Sequence, residues 1–469
     1  MDKRNIVIVG GGITGLSAAF YLEKHILQDN LPYNIHIVEA SERLGGKIKT
    51  IKRDGYTIEL GPDSLLARKP ATEKIIKELG LENKAIHNST GKSYLLVKNK
   101  LHLLPKGTFM GVPKDVRPLL SSRLISTTGK MRALLDLIKT KDMQNSDQSI
   151  GKFLRRRFGN EVVDKQISPL ISGIHSGDID EMSLQATYPM FYEMEQKYGS
   201  VMKGLQKSMP KSKRNKKKTQ GMFISFEDGL ETLPRTIVDH LHKTKVNKNC
   251  AVDHIEKKDN AYHVLLSNGE VIKASAVIVA TEHQAVPRMF SQYDFFKTLY
   301  DIPNSSTANI VLAFDEKSIK NDIDGTGYQV SRISNDYRIT ACTWTNKKWP
   351  TTTPAGKVLL RCYVGKPTDQ NIVDMSDEEI TEIALNDIRK TLKIKGKPEF
   401  SIVTRWKNAR PQYNVGHLDR VNDVREQIEA ELPGVYLIGS SYDGAGIPDC
   451  MDHGEKAAVD VLEFLQMND

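Results

Sequence analysis

At 469 residues the chain exceeds what a single hydrophobic core organises, so two or three domains are expected. A hydrophobic share of 39% and a charged share of 27% exclude a disordered or fibrous chain. The net charge of +9 is local, because Lys211, Lys213, Arg214, Lys216, Lys217 and Lys218 supply six of the nine charges. With Pro210 beside it and no aromatics interleaved, that tract reads as a solvated loop rather than a lipid- or nucleic-acid-binding arm, and no nucleic-acid partner is expected.

In chain order, residues 5–9 form a short β-branched run, residues 10–15 a glycine turn, and Leu16, Ala19, Phe20 and Leu22 recur at helical spacing. Residues 35–38 alternate again before Glu39, which completes a βαβ unit. The glycines interrupt the apolar stretch 6–22, so neither a signal peptide nor a membrane span of ~18 residues is expected there. A helix is predicted over 72–79. From 91 the character turns helical, with apolar residues three and four apart over 130–139 and 149–158, and 91–220 is read as an inserted, mainly helical domain.

A helix from Gly229 to His242 follows, then strands over 252–255, 262–266 and 271–280 with a hairpin turn at Asn268-Gly269. Residues 286–404 mix strand runs (310–314, 358–364) with a helix over 377–392 and read as a substrate-binding domain. The end of the chain is a strand over 435–438, a glycine-rich turn and a helix over 451–465. Residues 1–90, 221–285 and 405–469 are read as three parts of one Rossmann-type α/β domain. Cys250, Cys342, Cys362 and Cys450 contain no C-x-x-C pair, which fits neither a zinc site nor a disulfide framework and points to a reducing, cytoplasmic setting.

Gly10-x-Gly12-x-x-Gly15 sits between strand and helix, where a dinucleotide's pyrophosphate approaches backbone and helix N-terminus. Gly11, Ile13 and Thr14 complete this turn, and Glu39, followed by Ala40, stands where ribose hydroxyls are bound. Arg43 and Lys47 flank Leu44-Gly45-Gly46, where they can neutralise phosphate charge while the glycines let backbone pass beside a cofactor.

This Arg-x-Gly-Gly-Lys segment resembles that of the flavin-dependent amine oxidases and protoporphyrinogen oxidases. Three further matches extend the resemblance over the whole chain: Gly61-Pro62-Asp63-Ser64, Val252, and Gly439 with Gly446-Ile447-Pro448-Asp449. Trp406 resembles the aromatic position that packs against the cofactor. Within the family, residues 172–178, 343–350 and 446–450 are most similar to the oxygen-dependent porphyrinogen oxidases of Gram-positive bacteria. The resemblance implies FAD as cofactor, no metal, and a two-dinucleotide-binding α/β fold with a mixed α+β substrate domain and a helical insert. It implies oxidation of coproporphyrinogen III to the porphyrin with O2, releasing H2O2, in haem biosynthesis. Protoporphyrinogen IX oxidation and amine oxidation stay open as alternatives. No catalytic acid or base is assigned. Arg68 and Lys69 at the pocket mouth and Ile174 on its wall are the implied substrate contacts. Membrane contact is expected to be peripheral at most, on the inner face, and the next haem-pathway enzyme is a candidate partner.

Overall fold

The computed structural model describes residues 4–105, 107–142, 146–209, 221–320 and 323–468. The basic tract 211–218 lies outside them. A five-stranded parallel sheet forms the centre of the α/β part: β1 (Arg4–Val9), β2 (Tyr33–Val38), β3 (Lys245–Asn247), β4 (Ala276–Val279) and β5 (Val435–Leu437), in the spatial order β3-β2-β1-β4-β5. Its registers pair Val9 with both Val38 and Val279. Ile6, Val7 and Ile8 have no exposed surface, the pattern of a parallel strand covered on both faces. The helix α1 (Ile13–Gln28) covers one face, packed against the long C-terminal helix α2 (Ile447–Met467).

The apolar stretch read as one strand over 271–280 is divided at Ser275. Val271–Ala274 pairs antiparallel with Ala261–Leu266, whereas Ala276–Val279 enters the parallel sheet. The reason is tertiary, since Ser275 donates its N–H to the Asn5 carbonyl and the chain changes sheets there. The closing helix begins at Ile447, four residues before the expected start, because Pro448 is tolerated in a first turn.

A seven-stranded sheet forms the second layer system, running Phe400–Pro411, Asn304–Asp315, Lys357–Val364, Ala341–Trp344, Gly327–Val330, Tyr94–Val97 and Lys100–Leu103. Its last hairpin comes from the stretch read as helical, so that stretch starts inside this sheet. Beyond it, helices including Thr127–Leu134, Ile150–Phe158 and Ser168–His175 enclose a separate core of Phe153, Phe158, Ile167 and Phe191. Helix Asp377–Arg389 starts with a capping box between Ser376 and Glu379. Among the described residues no helix is long and apolar enough to cross a membrane.

Candidate active site

The glycine turn lies at the C-terminal edge of the parallel sheet, where ligands of such sheets bind. Gly10 has φ +105 and donates its N–H to Val38. Two of its glycines differ in kind. A Cβ on Gly15 would lie 2.0 Å from the Gly10 carbonyl oxygen, so the fold itself requires glycine there. A Cβ on Gly12 would meet nothing nearer than the Gly46 Cα at 4.0 Å, so the space in front of it is an open cradle. Both α1 and α2 begin at a glycine with no side-chain cap, leaving first-turn N–H groups for an anion. Gly439 (φ +111) is seated against Thr14 of α1, which brings the closing turn to the same place.

The half-buried Glu39 carboxylate accepts hydrogen bonds from the N–H groups of Gly11 (2.7 Å) and Ser41 (2.9 Å). The Cys250 N–H donates to the Glu39 carbonyl and draws Ala40 and Val252 to one rim. Arg43 and Lys47 are spent differently from the sequence expectation. The Arg43 guanidinium donates to the carbonyls of Leu44, Gly46 and Ile48 and reaches Glu231, so it braces its own loop. Lys47 donates to the Ala409 carbonyl and pairs with Glu282 at 2.9 Å. Both side chains keep exposed surface, 33% for Arg43 and 38% for Lys47, beside these partners.

Gly61 runs so close to the Lys47 backbone that a Cβ would stand 1.9 Å from its carbonyl oxygen. The Trp406 Nε1–H donates to the Leu60 carbonyl at 3.0 Å, setting the indole against this segment. Beneath it lies a buried ionic cluster. Asp63 accepts from Lys348 at 2.8 and 3.0 Å and from Ser64 at 2.8 Å, with an Arg361 nitrogen 3.5 Å away. Burial alone would raise the Asp63 carboxyl, but the Lys348 ammonium and Arg361 guanidinium outweigh it and hold it well below the usual carboxylate range. Glu59 is pushed up to about 7 by burial, against hydrogen bonds from the Leu230 N–H and the Thr50 hydroxyl and the charge of Arg361.

On the other side the chain builds an aromatic wall. The exposed Arg68 guanidinium lies 5.2 Å over the Phe109 ring, Phe109 meets Phe191 edge-on, and Phe191 stacks on Tyr188. The Tyr188 hydroxyl is 3.1 Å from His175 Nε2, next to Ile174. Burial, with the Arg410 charge in second place, lowers His175 to about 4, so the ring is neutral at physiological pH. Lys69, by contrast, is tied to Asp449 in the first turn of α2 at 2.6 Å. The structure thus links Arg68 and Ile174 through one row of aromatic rings and holds Lys69 at the first turn of α2.

Sequence reasoning missed Arg361 and Arg410 and the role of Lys348. Arg361 had a signal, a lone charge inside the apolar run Val358-Leu359-Leu360-Arg361-Cys362.

A family model for flavin-containing amine oxidoreductases matches residues 13–462, and the chain belongs to that family. It is an FAD-dependent oxidoreductase, and the open cradle at Gly12 between two uncapped helix ends fits the cofactor. Among curated proteins it is similar to a coproporphyrinogen III oxidase of Bacillus subtilis, 47% identical over 465 residues with 99% of each chain covered. A coproporphyrinogen III oxidase of Staphylococcus aureus is 41% identical over 474 residues, covering 98% of this chain and 100% of the relative. A crystal structure from Exiguobacterium sp. 255-15, provisionally named a protoporphyrinogen oxidase, matches with a TM-score of 0.87 at 35% identity, covering 99% of this chain and 100% of the other.

Proposed function

We propose that the chain oxidises coproporphyrinogen III to coproporphyrin III, consuming three O2 and releasing three H2O2 per porphyrin, in haem biosynthesis. The observation that carries this reading is the 47% identity, over essentially the full length of both chains, to a protein of that name. FAD supplies two-electron acceptance from the substrate and delivery to oxygen. Residues 10–15, Glu39, Ala40, Val252 and Gly439 would hold its nucleotide part. The first turn of α2, Ile447-Pro448-Asp449, would meet the flavin pyrimidine, where a positive helix end favours negative charge. The segment Gly61-Pro62-Asp63-Ser64 and Trp406 would lie along the ring system. The chain's own part is to place a substrate carbon beside the flavin and keep water out, and no side chain is assigned as acid or base.

The test is an aerobic assay of the purified holoprotein on coproporphyrinogen III and protoporphyrinogen IX, following porphyrin fluorescence and peroxide. Faster turnover of coproporphyrinogen with three peroxides per porphyrin is expected. Preference for protoporphyrinogen, or for a primary amine, overturns the assignment. Gly12→Val probes the cofactor site: the open space admits the side chain, so the variant is expected to fold and yet lose FAD. A yellow Gly12→Val protein would count against the cradle. The same reading carries a cytoplasmic location, membrane contact that is peripheral at most, and hand-over of product to the next haem-pathway enzyme; co-sedimentation with anionic vesicles tests the membrane part.

A further inference from the structure

We propose that Arg410 determines specificity by binding one carboxylate of the substrate at the inner end of the aromatic wall; this rests on the porphyrinogen-oxidase reading above. Other arginines of the chain have carboxylates within ion-pair distance: Arg361 has Asp63 at 3.5 Å, Arg332 has Asp178 at 2.7 Å, and Arg405 has Asp377. Arg410 makes one hydrogen bond, from Nη2 to the Ile174 carbonyl, and among the described residues no carboxylate lies within ion-pair distance of it. Four of its five N–H donors have no protein acceptor among the described residues.

The setting makes that unusual. By surface the side chain is half-buried, yet protein crowds it closely enough that burial pushes the guanidinium below its ordinary pKa. Of the titratable rings that act on it, His175 is neutral and Tyr363, raised by burial, keeps its proton, so neither provides a counter-charge. A guanidinium desolvated without a partner is costly, and a bound carboxylate removes the cost through a charge-assisted, bidentate pair.

Its position is fixed on both sides. The preceding residue, Ala409, accepts from Lys47 of the segment that follows Glu39. The next but one, Gln412, donates to the carbonyls of His175 (3.1 Å) and Arg410 (3.0 Å) and to the Ser305 hydroxyl. A Cβ on Gly177 would stand 2.0 Å from the Gln412 amide oxygen, so the 174–177 turn is clamped onto this strand. The guanidinium therefore stands between the Ile174 turn and the cofactor-side segment. Tetrapyrroles of this pathway carry propionates at the ring edge, the one anionic group such a flat apolar ligand offers to a buried cation.

The experiment compares coproporphyrin III with its uncharged tetramethyl ester as ligands of the FAD-loaded protein, titrated by tryptophan quenching, in wild type and Arg410→Gln. Loss of one charge-assisted bond corresponds to ~10–150-fold in affinity. The acid is therefore expected to weaken by that factor in the variant while the ester is unchanged. An equal effect on acid and ester, or none, overturns the proposal. A variant that melts cooperatively but has lost FAD assigns the guanidinium to the cofactor and overturns it as well. Should Arg410→Gln not fold, crystals of the wild type with coproporphyrin III decide: a propionate oxygen on Arg410 supports it, and four propionates bound elsewhere overturn it. Wild-type protein that oxidises no porphyrinogen overturns the proposed function instead, which separates the two failures.

Discussion

Two buried guanidiniums in this molecule live under opposite conditions. In the helical part, Arg157 has no exposed surface and uses its donors fully: on Asp136 through Nε, on Glu195 at 2.9 Å, and on the carbonyls of Asp136 and Gly199 at 2.8 and 2.7 Å. Asp136 in turn accepts from the N–H of Met202 and the Ser200 hydroxyl, so the network closes on itself. Arg361, 1% exposed, makes one hydrogen bond, to the Gly61 carbonyl, and its Nε and Nη1 have no hydrogen-bond partner. A satisfied buried charge holds a fold together, whereas an under-satisfied one is retained at a cost that stability alone does not explain. The second kind stands beside the segment that is proposed to carry the flavin.

The comparison breaks most visibly at Arg157. Arg157→Ala leaves Asp136 buried without a cation, while Glu195 keeps Arg156 at 2.8 Å, and a loss of about 3–5 kcal/mol is expected, read as a collapsed or insoluble helical part in thermal and urea melts. Survival with a melting temperature near wild type would show that the network contributes little. Next comes Glu59. Its folded pKa of about 7 lies above the unfolded value, so the folded state holds the extra proton. Its contribution is fully present below the unfolded pKa and is lost as pH rises through about 7. Glu59→Gln removes this slope. The stability of wild type minus variant should fall by on the order of 3 kcal/mol from pH 4.5 to 8, and a flat difference would reject the buried proton.

Arg361→Met sharpens the contrast, since Asp63 keeps Lys348 as partner. A loss of about 1–2 kcal/mol is expected, less than for Arg157, accompanied by a more negative flavin reduction potential as positive charge is withdrawn. A stability loss equal to that of Arg157→Ala with an unmoved potential would erase the distinction. The smallest effect belongs to Lys69→Ala. Its pair with Asp449 is 39% and 30% exposed, so stability should change by no more than ~1 kcal/mol, and KM for coproporphyrinogen should hardly move. A large rise in KM would return Lys69 to the pocket mouth, where the sequence placed it.

What could be read from sequence followed from local chemistry. Gly10, Gly12, Gly15 and Glu39 reveal a nucleotide-binding turn because strand, turn and helix are contiguous, and the spacing carries the geometry. Arg43 and Lys47 were legible as cations but not in their use, since their acceptors include Glu231 and Ala409, far along the chain. The same distance hid Lys348 from Asp63 and Arg410 from Ile174. Residues 271–280 misled for another reason: a mostly apolar, β-branched run looks alike in one strand or two, and only Ser275 and its tertiary bond separate them.

The strand order has a consequence for the chain's synthesis. β2 ends at Val38 and β5 at Leu437, yet both belong to one sheet. A ribosome adding ~5–20 residues per second needs roughly 20–80 s to travel from one to the other. From the completion of β4 at Val279 until β5 is made, the β4 edge has no neighbour on its outer side, and α2, which closes over α1 and the glycine turn, does not yet exist. Nascent chains therefore cannot trap the cofactor early, and their exposed strand edges depend on chaperones or on speed. The order in which the strands are made places completion of the flavin site after residues 435–467 have been synthesised.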